Sequence, residues 1–218
     1  FSVGYKPNAC LAQKAGLQLN RMGAIHVDNY GRATEKNIYA VGDCSQTLGF
    51  LTGRSDYIML ASTATAEARV LGYNLYGIAI KNSFTGTLGL FSTEINGLAM
   101  ASVGLNEKNA APANIQFITE QFTGYDRHPV NIKDASLLTV KLFVNPSDGS
   151  ILGAEVWGGK SAGEIINTIG LAVQKELTIY ELISLQIGTH PLLTCSPTAP
   201  TLIKAAEKVL RKIQSALK

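Results

Sequence analysis

The most specific stretch of the sequence is Thr34-Glu35-Lys36-Asn37-Ile38-Tyr39-Ala40-Val41-Gly42-Asp43. Its apolar run from Asn37 to Val41 is typical of a short buried strand, which Gly42 and Asp43 end. Open α/β sheets bind ligands at the carboxyl edge of their strands. A glycine there lets a ligand approach the backbone, and a carboxylate can accept hydrogen bonds from a polyol. We therefore predict that Gly42 and Asp43 contact a ligand; the alternative is a plain strand-ending turn.

The sequence around this stretch predicts short strands and one helix. Upstream, Ala24-Ile25-His26-Val27-Asp28 alternates as a strand does. Downstream, a helix is expected from about Tyr57 to Tyr76, capped by Ser55 or Asp56 and stopped by Gly77. The helix has an alanine-rich inner face, with the inward positions Leu60, Ala64, Ala68, Leu71 and Leu75. This first part has too few strands to close a sheet.

The second part of the chain predicts strands followed by helices, an α+β layer. Two strands within 87–103 are joined at Asn96-Gly97, a strong hairpin signal. Another hairpin runs from Leu137 to Trp157. Capping boxes at Ser161 and Thr178 each predict a helix, and a last helix is expected over 198–217. The sequence pattern changes near residue 81, from a helix to strands, so we predict two domains, 1–80 and 81–218.

Composition and cysteine use exclude several classes of protein. The 218 residues are 46% hydrophobic, which is too apolar for a disordered chain, yet no apolar run is long enough for a membrane span. A net charge of +3 is too small to indicate nucleic-acid binding. Three scattered histidines and three cysteines without a C-x-x-C predict no metal site. An odd, sparse cysteine count fits a reducing compartment, so we expect a cytoplasmic protein.

The stretch that ends in Gly42-Asp43 resembles the second FAD fingerprint of the pyridine nucleotide-disulfide oxidoreductases. Upstream and downstream motifs stand in the order of that family, and they include 23–28, 57–61, 100–107 and 151–155. The resemblance implies that Asp43 holds the ribityl and pyrophosphate region of FAD, beside Gly42. It also implies that the helix start with Leu60 and Ala61 faces the flavin pyrimidine.

The implied fold class is an α/β remnant of an FAD-binding domain, followed by an α+β dimerisation domain with an antiparallel sheet and helices. The implied partner is a second copy of the chain, in a homodimer. Within the family, Phe84-Thr85-Gly86-Thr87 and the Thr93-Glu94 hairpin resemble NADH oxidases and coenzyme A-disulfide reductases.

The loop Thr189-His190-Pro191 resembles a different branch, the lipoamide dehydrogenases and glutathione reductases. There the histidine acts as acid and base at the partner subunit's flavin, and a glutamate five positions later orients it. Here that position is Cys195, so the dyad is broken. His190 is therefore either a catalytic residue or a loop-packing histidine, and Cys195 either a buried small hydrophobe or a reactive thiol.

The sequence contains no G-x-G-x-x-G, although the family needs that loop for FAD and for the nicotinamide cofactor. We therefore expect the C-terminal part of an FAD-dependent enzyme that takes NAD(P)H as substrate and passes electrons to oxygen or a disulfide. Alone, this part is expected to be inactive. The alternatives are a lipoamide- or mercuric-type disulfide reductase, and a dimerisation module without a cofactor.

Overall fold

The computed structural model describes residues 3–56, 58–77, 79 and 83–216. The chain divides into two compact units, Phe1–Gly89 and Leu90–Lys218. The boundary expected between residues 80 and 81 lies outside the described residues. Each unit has its own set of elements.

The first unit combines helices with very short strands. Its elements in chain order are α1 (Cys10–Lys14), β1 (Thr47–Leu48), β2 (Ser55–Asp56) and α2 (Ala61–Asn74). A single 3₁₀ turn, Gly42–Cys44, lies between α1 and β1. A small apolar cluster forms around the buried residues Ala9, Ala12, Leu17 and Ile25.

The two strands predicted over 24–28 and 37–41 are wrong as regular elements. In the described residues Ile25 makes isolated bridges to Leu19 and Ser45, and Tyr39 makes one to Arg32. A buried strand needs a hydrogen-bonded ladder along its length, and a single bridge does not provide one. Ile38 is 37% exposed, so the apolar run is not buried in this chain.

Helix α2 begins later than predicted. Ser55 and Asp56 do not cap it, because they pair with Leu48 and Thr47 in the β1–β2 hairpin. Leu60 is the N-cap residue, with extended backbone, and the predicted start at Tyr57 lies outside the described residues. The helix ends at Asn74, two residues before the predicted end at Tyr76.

The inner face of α2 is more polar than its apolar periodicity predicted. Thr63 and Glu67 are its buried residues, whereas Ala68 is exposed. The Thr63 hydroxyl lies 2.7 Å from that of Thr87. Hydrogen bonds to neighbouring segments therefore decide which side of this helix is buried.

The second unit is a five-stranded antiparallel sheet with helices, which confirms the α+β prediction. Its strands are β3 (Phe91–Ile95), β4 (Leu98–Gly104), β5 (Ile118–Tyr125), β6 (Leu137–Val144) and β7 (Ile151–Gly158), in the order β3-β4-β7-β6-β5. Its helices are α3 (Glu107–Ala113), α4 (Ala162–Gln174), α5 (Ile179–Ile183) and α6 (Thr201–Ala216).

Both predicted hairpins are confirmed. Asn96 and Gly97 have φ values of 51° and 83°, so both central residues of the β3–β4 turn adopt the left-handed conformation that a tight hairpin requires. Strands β6 and β7 form the second hairpin. Helix α3 and strand β5 were not predicted, although the segment from Ile118 to Tyr125 contains several β-branched and aromatic residues.

Helices α4 and α6 cover one face of the sheet, where its core lies. The side chain of Val103 on β4 lies next to Gly170 on α4, and Gly124 on β5 lies next to the side chain of Thr201 on α6. Val140, Leu142, Ala154 and Val156 on the central strands share this face by the strand register and are fully buried. The opposite face, which we call the second face, leaves several large apolar side chains exposed: Phe91, Ile95, Leu98, Tyr125 and Leu137.

The two capping boxes have different outcomes. The box at Thr178 forms, with the Glu181 carboxylate 2.7 Å from the Thr178 backbone nitrogen. The predicted box at Ser161 does not form, because the Ser161 hydroxyl donates to the buried Asp126 carboxylate instead, at 2.8 Å. The last helix begins at Thr201, and its predicted end at Leu217 lies outside the described residues.

Candidate functional site

The Gly42–Cys44 turn occupies the end of the stretch singled out in the sequence. Val41 is extended, and Gly42 then turns the chain with a φ of +74°. A Cβ on Gly42 would lie 3.3 Å from the Cβ of Ala64 on α2. A glycine is therefore favoured here for its backbone conformation and because the helix passes close to the turn.

A buried acid from α2 lies beneath this turn. Glu67 is 7% exposed, and its Oε2 accepts a hydrogen bond of 2.7 Å from the Gly42 backbone N–H. Its Oε1 accepts one of 3.0 Å from the Thr47 hydroxyl. The Ser45 hydroxyl donates to the Gly42 carbonyl at 2.9 Å and lies 3.4 Å from Glu67 Oε2. The carboxyl group thus joins three segments of the first unit.

Burial raises the pKa of Glu67 above its ordinary value, because the charged form loses hydration. The nearby Asp43 carboxylate acts in the same direction. The hydrogen bonds from Gly42, Thr47 and Ser45 favour the ionised form and oppose this shift without cancelling it. The turn is therefore hydrogen-bonded to a carboxyl group, that of Glu67, whose ionised form is disfavoured.

Asp43, unlike Glu67, lies at the surface of the turn. Its side chain is exposed, and its carboxylate has no hydrogen-bond or ion-pair partner among the described residues. It lines a small groove of about 20 Å³. The groove is also lined by Pro7, Asn20, Met22, Ala24, Gly42, Ser45, Thr47, Asp56, Ile58 and Met59. Asp43 is thus a free acceptor at the edge of a groove.

The predicted residues Leu60 and Ala61 directly follow two lining residues of this groove, Ile58 and Met59. Leu60 is half-buried at the N-cap of α2, where its side chain caps nothing, and Ala61 is the exposed first residue of the helix. The structure therefore brings Gly42, Asp43 and the chain that leads into α2 to one site. Because a helix N-terminus favours negative charge, this end of α2 suits an anionic group.

His190 belongs to the second unit, where its side chain is exposed. Its backbone N–H donates to the Thr194 hydroxyl at 3.1 Å, and its carbonyl accepts from the backbone N–H groups of Leu193 and Thr194. The imidazole ring has no hydrogen-bond partner in the described part of the chain. A second histidine contacts the same loop. Nδ1 of His128 lies 2.8 Å from the Thr194 carbonyl oxygen.

Cys195 is partly buried, and desolvation raises the pKa of its thiol above the ordinary value. A protonated thiol is a weak nucleophile. This environment agrees better with the interpretation of Cys195 as a small apolar residue than with a reactive thiol.

Sequence reasoning missed Glu67, the residue with the densest set of contacts at the site. The available signal was a lone acid within a run of small residues, Ala64-Thr65-Ala66-Glu67-Ala68. That pattern is also typical of an exposed acid on a surface helix, so periodicity alone does not identify it.

The described residues contain no group of three or more His, Cys, Asp or Glu side chains arranged to hold a metal ion. Among the helices of the same residues, none has the length and apolar character needed to cross a membrane.

Comparisons with known proteins match most of the chain. Residues 1–68 match the pyridine nucleotide-disulphide oxidoreductase domain, and residues 92–199 match the pyridine nucleotide-disulphide oxidoreductase dimerisation domain. The chain is 28% identical to an NADH oxidase of Methanocaldococcus jannaschii, over 99% of this chain and 46% of that protein.

Two solved structures are similar over nearly the whole chain. One is an NAD-dependent persulfide reductase from A. fulgidus, with a TM-score of 0.88 and 30% identity over 97% of this chain and 38% of that one. The other is the reduced CoADR-RHD protein of Bacillus anthracis, with a TM-score of 0.90 and 26% identity over 98% of this chain and 38% of that one. The chain spans less than half the length of these relatives. With both domains matched in order along the sequence, the chain belongs to the pyridine nucleotide-disulphide oxidoreductase family.

Proposed function

We propose that this chain is the C-terminal part of an FAD-dependent NAD(P)H oxidoreductase of the NADH oxidase type. FAD supplies the chemistry of moving hydride and electrons from NAD(P)H to an acceptor, either oxygen or a disulfide. The chain is expected to be inactive alone, because it covers 38–46% of the length of its relatives and has no G-x-G-x-x-G loop. A reducing cytoplasm agrees with three free cysteines among the described residues.

One observation carries the assignment of the site: Asp43 is exposed and unpaired among the described residues, in a groove shared with the segment leading into α2. A free carboxylate can accept hydrogen bonds from ribityl hydroxyl groups. The uncapped start of α2, at Leu60 and Ala61, would favour negative charge on a flavin ring placed beside it. The donors and acceptors present therefore fit FAD, and Gly42 lets the turn and α2 pack closely beside the groove.

We propose that the second unit forms a homodimer. The second face exposes large apolar side chains that include Ile95, at 63%, and Leu137, at 55%. Exposed apolar patches of this kind favour association, and the sequence match to a dimerisation domain supports a second copy as the partner. Light scattering at micromolar concentration tests this: twice 23.2 kDa is expected, and 23.2 kDa would contradict it.

The absorption spectrum tests the proposed function most simply. The longer protein that includes this chain should purify with flavin bands and oxidise NADH or NADPH. Comparison of oxygen with coenzyme A disulfide in that assay identifies the acceptor. The 218-residue chain alone should be colourless, since much of the pyrophosphate affinity is expected from the glycine-rich loop. A longer protein that is colourless and does not bind added FAD would instead indicate a dimerisation module.

A further inference from the structure

The buried side of the Gly42–Cys44 turn is fully committed to hydrogen bonds within the chain. The Gly42 N–H donates to Glu67, and the Gly42 carbonyl accepts from both the backbone N–H and the hydroxyl of Ser45. Neither polar group of the Gly42 peptide is therefore free to contact a ligand. The Asp43 side chain is exposed, lines the groove and has no partner among the described residues, so its carboxylate is the side-chain group of this turn that is available to FAD.

Glu67 connects this turn to the other proposed flavin contact. It lies six residues after Ala61, which is less than two turns along α2. Its Oε2 bonds the turn, and its Oε1 bonds Thr47 on β1. The absence of a side chain on Gly42 lets α2 approach closely enough for these bonds, with a Cβ there only 3.3 Å from Ala64. One carboxyl group thus sets the distance between the turn and the helix.

We propose that Glu67 is a positioning residue for flavin binding: by tying the Gly42–Cys44 turn to α2, it holds the Asp43 carboxylate and the start of α2 at a fixed separation. This inference rests on the proposed function, in which Asp43 and the Leu60–Ala61 segment contact FAD. Glu67 itself has no contact with the ligand in this account, because it is buried and its acceptor positions are used inside the protein.

Two variants of similar volume separate the hydrogen bond from the packing. Glu67→Gln keeps an acceptor oxygen for the Gly42 N–H and an NH₂ group that can donate to the Thr47 hydroxyl. Glu67→Met fills the same space but leaves the Gly42 N–H buried without an acceptor. Thr63→Val is the matched control, because it removes a different buried hydrogen bond from the same helix face, to Thr87, and leaves the turn untouched.

The first measurement uses the 218-residue chain and needs no flavin. Hydrogen exchange of the Gly42 amide, followed by NMR, should become at least about tenfold faster in Glu67→Met. It should change little in Glu67→Gln and Thr63→Val. Equal protection of Gly42 in Glu67→Met and in the unchanged chain would overturn the proposed clamp. If Glu67→Met does not fold, Glu67→Leu takes its place, because leucine is smaller and also lacks an acceptor for the Gly42 N–H. Protection of Gly42 in Glu67→Leu equal to that in the unchanged chain would again contradict the clamp.

The second measurement is the FAD dissociation constant of the longer protein that includes this chain. Glu67→Met should raise it by about 10- to 100-fold, whereas Glu67→Gln should restore most of the affinity and Thr63→Val should leave it within a factor of about three. Faster Gly42 exchange with unchanged FAD affinity would overturn the positioning role alone. Unchanged affinity in Asp43→Ala would instead reject the proposed flavin contact, and with it this inference.

Discussion

Replacement of Gly42 by alanine tests the geometry of the site without any ligand. The left-handed backbone, with a φ of +74°, costs a residue with a Cβ about 1–2 kcal/mol. The new Cβ would also lie 3.3 Å from Ala64, so the turn and α2 must move apart, at about 1–3 kcal/mol for overpacking. Lower entropy of the unfolded chain offsets about 0.4–1 kcal/mol of this. We expect Gly42→Ala to lose about 2–4 kcal/mol of unfolding free energy.

Gly53→Ala is the matched control, because Gly53 also has a positive φ, of 61°, but open space around its Cβ position. It should lose only about 1 kcal/mol, the backbone part of the effect. Urea unfolding is followed by far-UV circular dichroism, with fluorescence of Trp157, the only tryptophan, reporting on the second unit. Ala64→Gly introduced into Gly42→Ala should recover the contact part. Equal stability of Gly42→Ala and Gly53→Ala would refute the close packing of the turn on α2.

Three further predictions concern Gly153, Thr178 and the cysteines Cys10 and Cys195. Gly153→Ala should abolish folding of the sheet or cost more than about 4 kcal/mol, because its Cβ would overlap the Leu105 carbonyl oxygen. A cooperative unfolding transition near that of the unchanged chain would contradict this. Thr178→Ala should lose about 1 kcal/mol by removing the N-cap of α5. The Thr178 backbone N–H and hydroxyl both hold the pKa of Glu181 below its ordinary value. The part that the hydroxyl contributes is present above the ordinary value and is lost as the pH falls through the lowered pKa; a pH-independent effect of Thr178→Ala would argue against it. Iodoacetamide labelling at pH 7.5, mapped by mass spectrometry, should modify exposed Cys10 before Cys195, whose partly buried thiol has a raised pKa; the reverse order would reveal a reactive Cys195.

Features that depend on local backbone chemistry are predictable from this sequence. The turn at Asn96-Gly97 forms as expected because both residues tolerate positive φ at little cost. The capping box at Thr178 forms because the donors and acceptors that it needs are all within one turn. The hairpin of β6 and β7 follows from the alternation of Leu138, Val140, Leu142 and Val144 and from the turn residues Pro146 to Gly149, after which the chain returns.

Features that depend on distant partners are less predictable. The motif at Ser161 matches the same capping pattern as Thr178, yet the buried Asp126, 35 residues away, takes the hydroxyl. The run from Asn37 to Val41 has strand composition but no continuous ladder in the described residues. At the candidate site, Gly42 and Asp43 could be identified from their motif. Glu67 could not, because its importance comes from a contact 25 residues away in sequence, to the Gly42 N–H.

The retention of FAD by an Asp43 variant tests the central claim most directly. In the proposed full-length enzyme, Asp43→Ala should weaken FAD binding by about 1–3 kcal/mol, or about 5- to 150-fold, because hydrogen bonds to a charged acceptor are lost. Asp134→Ala, an exposed aspartate of the second unit, is the matched control and should retain its flavin. The FAD dissociation constant is measured by fluorescence titration after removal of the flavin. A constant for Asp43→Ala equal to that of Asp134→Ala would contradict the assignment of the Gly42–Cys44 turn as the flavin contact.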